Sequence, residues 1–436
     1  MMKILFIGDF RPAQNYGSIA TTETLQKLLF EVIDENCEVK YIDRRSYDRA
    51  TPINGFIETH SLKDKIKQNI PSKYKNKYSK FKSIFKSPLT TLLRIDSLHI
   101  PYRLSLFEKF YTKIENCEIL QFEKNLINWS DIVFINGEGT IVNGTDKFGI
   151  YNGGGRYTLF LAWLSKFKYN KPTCLVNHTV DPGNSDADEM IAYIYPELDF
   201  VSVREPLSLK KLNEIKVFNA KYIPDSLFSY IPITNWKPNE AILSQIDFSK
   251  PYICIGDSTG IRENAWQKSA KWDTYSVLTE LICELKKIFP QIVFVDGFNG
   301  SHKIINEIIK KNKLGYVNLK NCNHNDLFYV LKSSELFISG RWHSSIISLL
   351  ANTPILLWGS DSHKTKALYS IIDYSYPFFE TNTLPIHIED IILCSKDILS
   401  NKINVKNEIK NKIENISKQS YDNVLFIKEY LNNKKI

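Results

Sequence analysis

No apolar stretch in this sequence approaches the ~18 residues of a membrane-spanning helix, and there is neither an internal repeat nor a low-complexity tract. Near the start only Ile4–Ile7 run apolar before Asp9 and Arg11 interrupt, too short for the core of a signal peptide. The seven cysteines (Cys37, Cys117, Cys174, Cys254, Cys283, Cys322 and Cys394) are scattered, odd in number and form no C-x-x-C pair. That excludes a disulfide framework and a zinc knuckle and favours a reducing compartment. The expected setting is the cytoplasm. The eight histidines show no H-E-x-x-H spacing, and G-x-G-x-x-G, P-loop and G-x-S-x-G signatures are missing. Accordingly no metal, NAD, ATP or hydrolase-type site is expected.

What is present is ordinary for a soluble globular chain: 43% hydrophobic and 24% charged residues over 436 positions. Wholesale disorder is excluded, and at about 100–200 residues per domain the length suits two or three domains. The net charge of +8 is uneven. Between Lys63 and Lys86 lysines alternate with Ile, Tyr and Phe around a single acid, Asp64. One reading is a solvated, lysine-rich insertion. The other is peripheral contact with an anionic membrane, at its inner face, or with an acidic polymer. Nucleic acid is not expected, because no recognisable motif accompanies the run.

Short β-branched runs alternate with longer amphipathic stretches, the pattern of parallel sheets covered by helices. Predicted strands are Lys3–Phe10, Cys37–Asp43, Asp131–Gly137, Thr173–Thr179 and Phe200–Glu205 in the first half, closed by a short AKYIPDSL piece. The second half offers Pro251–Ser258, Gln291–Gly297, Gly315–Lys320, Glu335–Arg341 and Pro354–Gly359. The expected architecture is α/β: two Rossmann-like, doubly wound domains facing across a cleft. They span residues 1–230, with an insertion at about 44–127, and 251–400. Residues 231–250 form the linker, and a helical tail over 401–436 is expected to pack back on the first domain. Open parallel sheets bind ligands beyond the carboxyl ends of their strands, so chemistry is sought there.

The strongest candidate is Ser339-Gly340-Arg341-Trp342-His343, a turn from strand into helix, with Ser344 in the first helical turn. A permanent cation, an imidazole and free backbone N–H groups meet at this junction, which suits an anion. Arg204 ends a second strand, and two arginines at two strand ends are what a doubly anionic ligand needs. Glycine-rich exits hold Asn15 and Gly17 (NYGS) and Gly137, Glu138 and Gly139 (NGEGT), where a backbone can approach a ligand closely. Asp225 closes the first half. The blander alternative is that Arg341 and Arg204 pair with structural carboxylates and His343 merely caps a helix.

NYGS, NGEGT, VSVRE-x-x-S, IPD and above all SGRWHSSIISLLANTPILLWG followed by HK occur in the order seen in the polysaccharide pyruvyl transferase family, which the chain resembles. NYGS stands where many members have N-x-G-D, and NGEGT where many have a glycine triplet. The resemblance implies a GT-B-like fold with a C-terminal helix. It also implies phosphoenolpyruvate as donor substrate, with no further cofactor or metal. The acceptor would be a sugar of a cell-surface polysaccharide or its lipid-linked precursor, as in capsule or other cell-envelope polymers. It makes His343 the general acid, with Arg341 and Arg204 holding the donor's phosphate and carboxylate. Asn15, Gly17, Gly137, Glu138, Asp225 and Ser344 complete the expected substrate site. The rival expectation is a GT-B glycosyltransferase using a nucleotide-activated sugar, for which Glu335, Asp361 and Asp257 are the loose candidates for ribose contact.

Overall fold

A computed structural model describes residues 1–12, 15–43, 100–101, 103–142, 154–183, 185–266, 271–297, 303–360 and 362–434. The basic run Lys63–Lys86 and Asp361 lie outside the described residues.

Among the described residues eleven strands form two sheets, and every strand pairing is parallel. The first sheet contains β1 (Met2–Asp9), β2 (Cys37–Asp43), β3 (Ile132–Val142), β4 (Thr173–Asp181), β5 (Phe200–Val203) and β6 (Ala220–Tyr222), in the order β2-β1-β3-β4-β5-β6. The second contains β7 (Tyr252–Gly256), β8 (Gln291–Asp296), β9 (Gly315–Asn318), β10 (Phe337–Ser339) and β11 (Ile355–Leu357), in the order β11-β10-β7-β8-β9. Strand order reverses between β1 and β3 in one sheet and between β7 and β10 in the other. Those reversals open a crevice at the strands' carboxyl ends.

Alternation along each strand explains the layers. Leu5, Ile7, Val133, Ile135 and Leu175 face one side of the first sheet, against Phe107, Phe160, Trp163 and Met190. Ile4, Phe6, Phe134, Cys174 and Val176 face the other, against Leu25, Leu28 and Leu29. The second sheet divides likewise, with Ile253, Ile255, Phe294 and Ile338 on one face and Cys254, Val293, Val295 and Phe337 on the other. That last cluster also takes in Tyr16, Ala20, Leu227 and Phe228 of the first domain, so apolar packing joins the two halves.

The stretch expected as an insertion, about 44–127, is described only from residue 100 onward, apart from residue 102. Helices Phe107–Ile114 and Gln121–Trp129 lead into β3, and Phe107, Phe110, Ile114 and Ile127 lie in the first core. Their short, lysine-bearing turns hid an amphipathic pattern inside a polar region. The tail forms helices Lys402–Ser420 and Leu425–Lys434. Val424, Ile427 and Leu431 pack on the first-domain sheet beside Ile4 and Phe6. All seven cysteines, each within the described residues, are free thiols. Among the described residues no helix is long and apolar enough to cross a membrane.

Candidate active site

Arg204 follows β5 directly, and its side chain is fully buried. Its Nε donates to Thr179 Oγ1 at 3.0 Å, and its Nη1 to Asp225 Oδ2 at 2.9 Å and Glu138 Oε1 at 3.4 Å. The same Nη1 lies 3.3 Å from His343 Nε2, an atom of the other domain. A buried guanidinium is tolerable only when its charge is matched, and here two carboxylates match it. Burial pulls the Arg204 pKa down, but Glu138, Asp225 and Glu205 outweigh it and the net shift is upward.

Asp225 caps the short turn Ser226–Ser229 and is held on every side. Its Oδ1 accepts from Thr21 Oγ1 at 2.8 Å and Leu227 N at 2.9 Å, and its Oδ2 from Trp342 Nε1 at 2.9 Å. Burial raises its pKa; Arg204, His343 and the Trp342 indole lower it more, so it stays ionised. Trp342 thus ties the second domain's helix Trp342–Leu350 to the first domain's carboxylate, and its ring lies 5.5 Å from the Arg204 guanidinium carbon.

Glu138 sits in β3 with φ at +45°, where its register against β4 breaks before Ile141. A non-glycine residue in the left-handed region is strained, and the break turns its carboxylate toward Arg204 and His343. Burial pushes its pKa up, but Arg204, His343 and Lys364 hold it below the ordinary range.

His343 lies in the first turn of its helix. Its Nε2 is 3.4 Å from Glu138 Oε1 and 3.7 Å from Asp225 Oδ2. Those oxygens call for a protonated nitrogen, whereas Arg204 Nη1 can only donate to it. Burial decides the contest. Together with Arg204 and Lys364 it outweighs Asp225 and Glu138, pulling the pKa down to about 4. The resting imidazole is therefore neutral at pH 7. Helix Tyr16–Val32 starts against this ring: a side chain at Gly17 would collide with the imidazole.

Arg341 takes another direction. Its Nε donates to Asp257 Oδ1 at 2.7 Å, and its Nη1 reaches Thr259 Oγ1 at 3.5 Å, at the second sheet's strand ends. Asp257 also binds Arg262, which donates to Asp296 Oδ1 at 2.6 Å. Burial would raise the Asp257 pKa, but Arg341 and Arg262 lower it. Arg341 still precedes His343 by two residues, so both belong to one strand–helix junction.

Of the expected residues, Arg204, Glu138, Asp225, His343 and Gly17 converge on one point between the domains. Asn15 is the N-cap of its helix, its Oδ1 accepting from Gly17 N at 3.0 Å. Ser344 is buried in the first turn. Gly137 differs from expectation. The space its side chain would fill holds His178, so this glycine lets β3 pack on β4 rather than clearing room for a ligand. Sequence reasoning missed the hydrogen bonds that Thr179 makes with Arg204 and that Thr21 and Trp342 make with Asp225. Only the tryptophan carried a signal, as the sole aromatic inside the R-x-H element. Lys364, of the HK pair that follows the R-x-H segment, was given no site role, although its charge reaches both Glu138 and His343. Among the described residues no group of three or more His, Cys, Asp or Glu could hold a metal ion.

Two parallel doubly wound domains with a site at their facing strand ends define the GT-B-like class. Solved structures agree on the fold. S. aureus MnaA bound to UDP aligns with a TM-score of 0.55 at 15% identity, covering 99% of this chain and 97% of that one. The UDP-GlcNAc 2-epimerase of Neisseria meningitidis bound to UDP-GlcNAc gives 0.52 at 12%, covering 99% and 100%. Sucrose-phosphate synthase from Thermosynechococcus elongatus gives 0.50 at 14%, again covering 99% and 100%. No curated protein sequence matches. The sequence model of the polysaccharide pyruvyl transferases matches residues 15–362. The chain belongs to that family.

Proposed function

We propose that this protein transfers a pyruvyl group from phosphoenolpyruvate to two hydroxyls of one sugar in a surface polysaccharide or its lipid-linked precursor, forming a cyclic ketal. The observation that carries this reading is the meeting of Arg204 and His343, from opposite domains, at 3.3 Å. A small trianion needs cationic partners: the Arg204 guanidinium, paired with Glu138 and Asp225, lies beside His343, and Lys364 acts electrostatically on Glu138 and His343. Arg341, two residues before His343, is turned to Asp257 and its charge is matched there.

In the reaction a proton is added to the methylene carbon of phosphoenolpyruvate, giving a methyl group and an electron-poor neighbouring carbon. The two sugar oxygens bond to that carbon, and the C–O bond to phosphate breaks. Of the two hydroxyl protons, one replaces the proton taken up by the methyl group and the other leaves on hydrogen phosphate, so atoms and charge balance. His343 is the acid. Neutral at rest, it gains its proton as the donor's negative charge arrives, because a nearby anion raises an imidazole pKa. The arginines stabilise charge on the departing phosphate, and Glu138 is placed to accept from a sugar hydroxyl. Seven free thiols suit a reducing, cytoplasmic setting. A peripheral membrane contact through Lys63–Lys86 would bring the enzyme to a lipid-linked acceptor.

The nucleotide-sugar alternative fits the fold, and two of the structural relatives are described with UDP or UDP-GlcNAc bound. Its ribose would need a carboxylate, yet Asp257 is engaged by Arg341 and Arg262, and Glu335 by Lys402. Thermal-shift titration separates the two. Phosphoenolpyruvate is expected to raise the melting temperature; a rise with nucleotide sugars alone overturns the reading.

A further inference from the structure

The loop after β11 reaches the first domain just beyond the family-matched region. His363 Nε2 lies 3.1 Å from Glu205 Oε1 and 3.3 Å from Ser208 Oγ. Its Nδ1 lies 3.4 Å from Asp181 Oδ2, and its backbone N donates to that same oxygen at 3.2 Å. Glu205 is fully buried, and a buried carboxylate is costly unless partners surround it. One of those partners comes from the opposite domain.

The contacts continue inward. Thr179 Oγ1 donates to Glu205 Oε2 at 3.4 Å and accepts from Arg204 Nε at 3.0 Å, and Arg204 Nη1 meets His343. An unbroken chain therefore runs His363–Glu205–Thr179–Arg204–His343, leaving the second domain and returning to it. His363 also immediately precedes Lys364, which opens the helix Lys364–Ile371 and acts electrostatically on Glu138 and His343.

We propose that His363 is a positioning residue: by docking on Glu205 and Asp181 it fixes the aim of Arg204 through Thr179 and seats Lys364 beside the reacting site. His363 touches neither donor nor acceptor. Its effect falls on how well the cations are placed for the anionic donor, so this inference rests on the phosphoenolpyruvate reading above.

The test uses the full chain with His363→Ala, His363→Gln, and Lys366→Ala as a control on the same helix, where Lys366 pairs with exposed Glu380. Calorimetric titration with phosphoenolpyruvate is expected to show affinity falling on the order of tenfold in His363→Ala, the size of a typical coupling between linked sites. His363→Gln, which keeps a donor for Glu205, is expected to recover part of the loss, and Lys366→Ala to match wild type. Hydrogen–deuterium exchange without ligand is expected to speed up in His363→Ala over Glu205–Leu209 and Lys364–Leu368. Should the orphaned Glu205 prevent folding, the double variant His363→Ala/Glu205→Gln removes that buried charge. It is expected to fold and yet retain the weakened affinity. Wild-type affinity and exchange in His363→Ala would overturn the proposal. If wild type itself fails to bind phosphoenolpyruvate, the functional reading falls, while the ligand-free exchange comparison still decides whether His363 docks the domains.

Discussion

At position 343 one imidazole nitrogen stands between a guanidinium that can only donate and two carboxylates that can only accept. Its charge state is thus set by what arrives. Histidine NMR of the free protein is expected to show His343 titrating at about 4 and moving upward when phosphoenolpyruvate is added. A free-state imidazole already protonated at pH 7 would contradict the mechanism. His343→Ala is expected to abolish ketal formation while leaving the melting curve close to wild type; near-normal turnover would remove it as the acid. His178, buried against Tyr195, is pushed to about 3 by burial and Arg204. Both histidines have folded pKa values below their ordinary 6.5. The unfolded chain therefore binds more protons from about pH 6.5 down to about 4 at His343 and about 3 at His178, and stability is full above that window and falls as pH drops through it. His178→Gln removes one of the two titrations and is expected to flatten this acid limb in pH-dependent unfolding. Arg204→Met strands Glu138 and Asp225 as buried charges, so denaturant unfolding should show a loss of about 3–5 kcal/mol. Adding Asp225→Asn should return part of it.

Among the elements, the strand ends were legible because β-branched runs stop abruptly at polar residues, which singled out Arg204 and the turn leading to His343; Glu138 was singled out by its flanking glycines and Asp225 by the IPD piece. Hidden from the sequence was direction. Arg341 and His343 are two residues apart, yet the Arg341 side chain turns to Asp257 while His343 turns to the first domain. A helix N-terminus fans successive side chains apart, and only the neighbouring domain decides which way each settles. The left-handed Glu138 and the extension of β3 to Val142 were equally invisible, since they depend on pairing with β4. Helix Tyr16–Val32, capped by Asn15, approaches His343 through Gly17, where only a hydrogen fits. Gly17→Ala is therefore expected to displace the imidazole and sharply reduce turnover with little change in unfolding. Wild-type turnover in this variant would show that the helix start does not set the ring's position.

Across the whole molecule, two sheets are joined by the apolar cluster around Tyr16 and Phe228, by the Trp342–Asp225 hydrogen bond, and by the tail returning to β1. The two-domain plan followed from the alternation of strands and helices. The helices Phe107–Ile114 and Gln121–Trp129 did not, because they are anchored by a core that lies mostly elsewhere in the chain. Truncation after Ser420 removes Val424, Ile427 and Leu431 from the cluster they form with Ile4, Phe6 and Leu25 on one face of the first sheet. It is expected to cost about 1.5–3 kcal/mol for each buried apolar side chain lost, read by thermal or denaturant unfolding. The central claim is that both domains together grip one small trianion and deliver it to a sugar. Its most direct test is to incubate the purified protein with phosphoenolpyruvate and oligosaccharides of its host's surface polymer, then to weigh the products and measure released phosphate. The account predicts an acceptor carrying one pyruvyl ketal, with one phosphate released per ketal and neither product from His343→Ala. Unchanged acceptors in that mixture, together with glycosyl transfer when a nucleotide sugar replaces phosphoenolpyruvate, would contradict it.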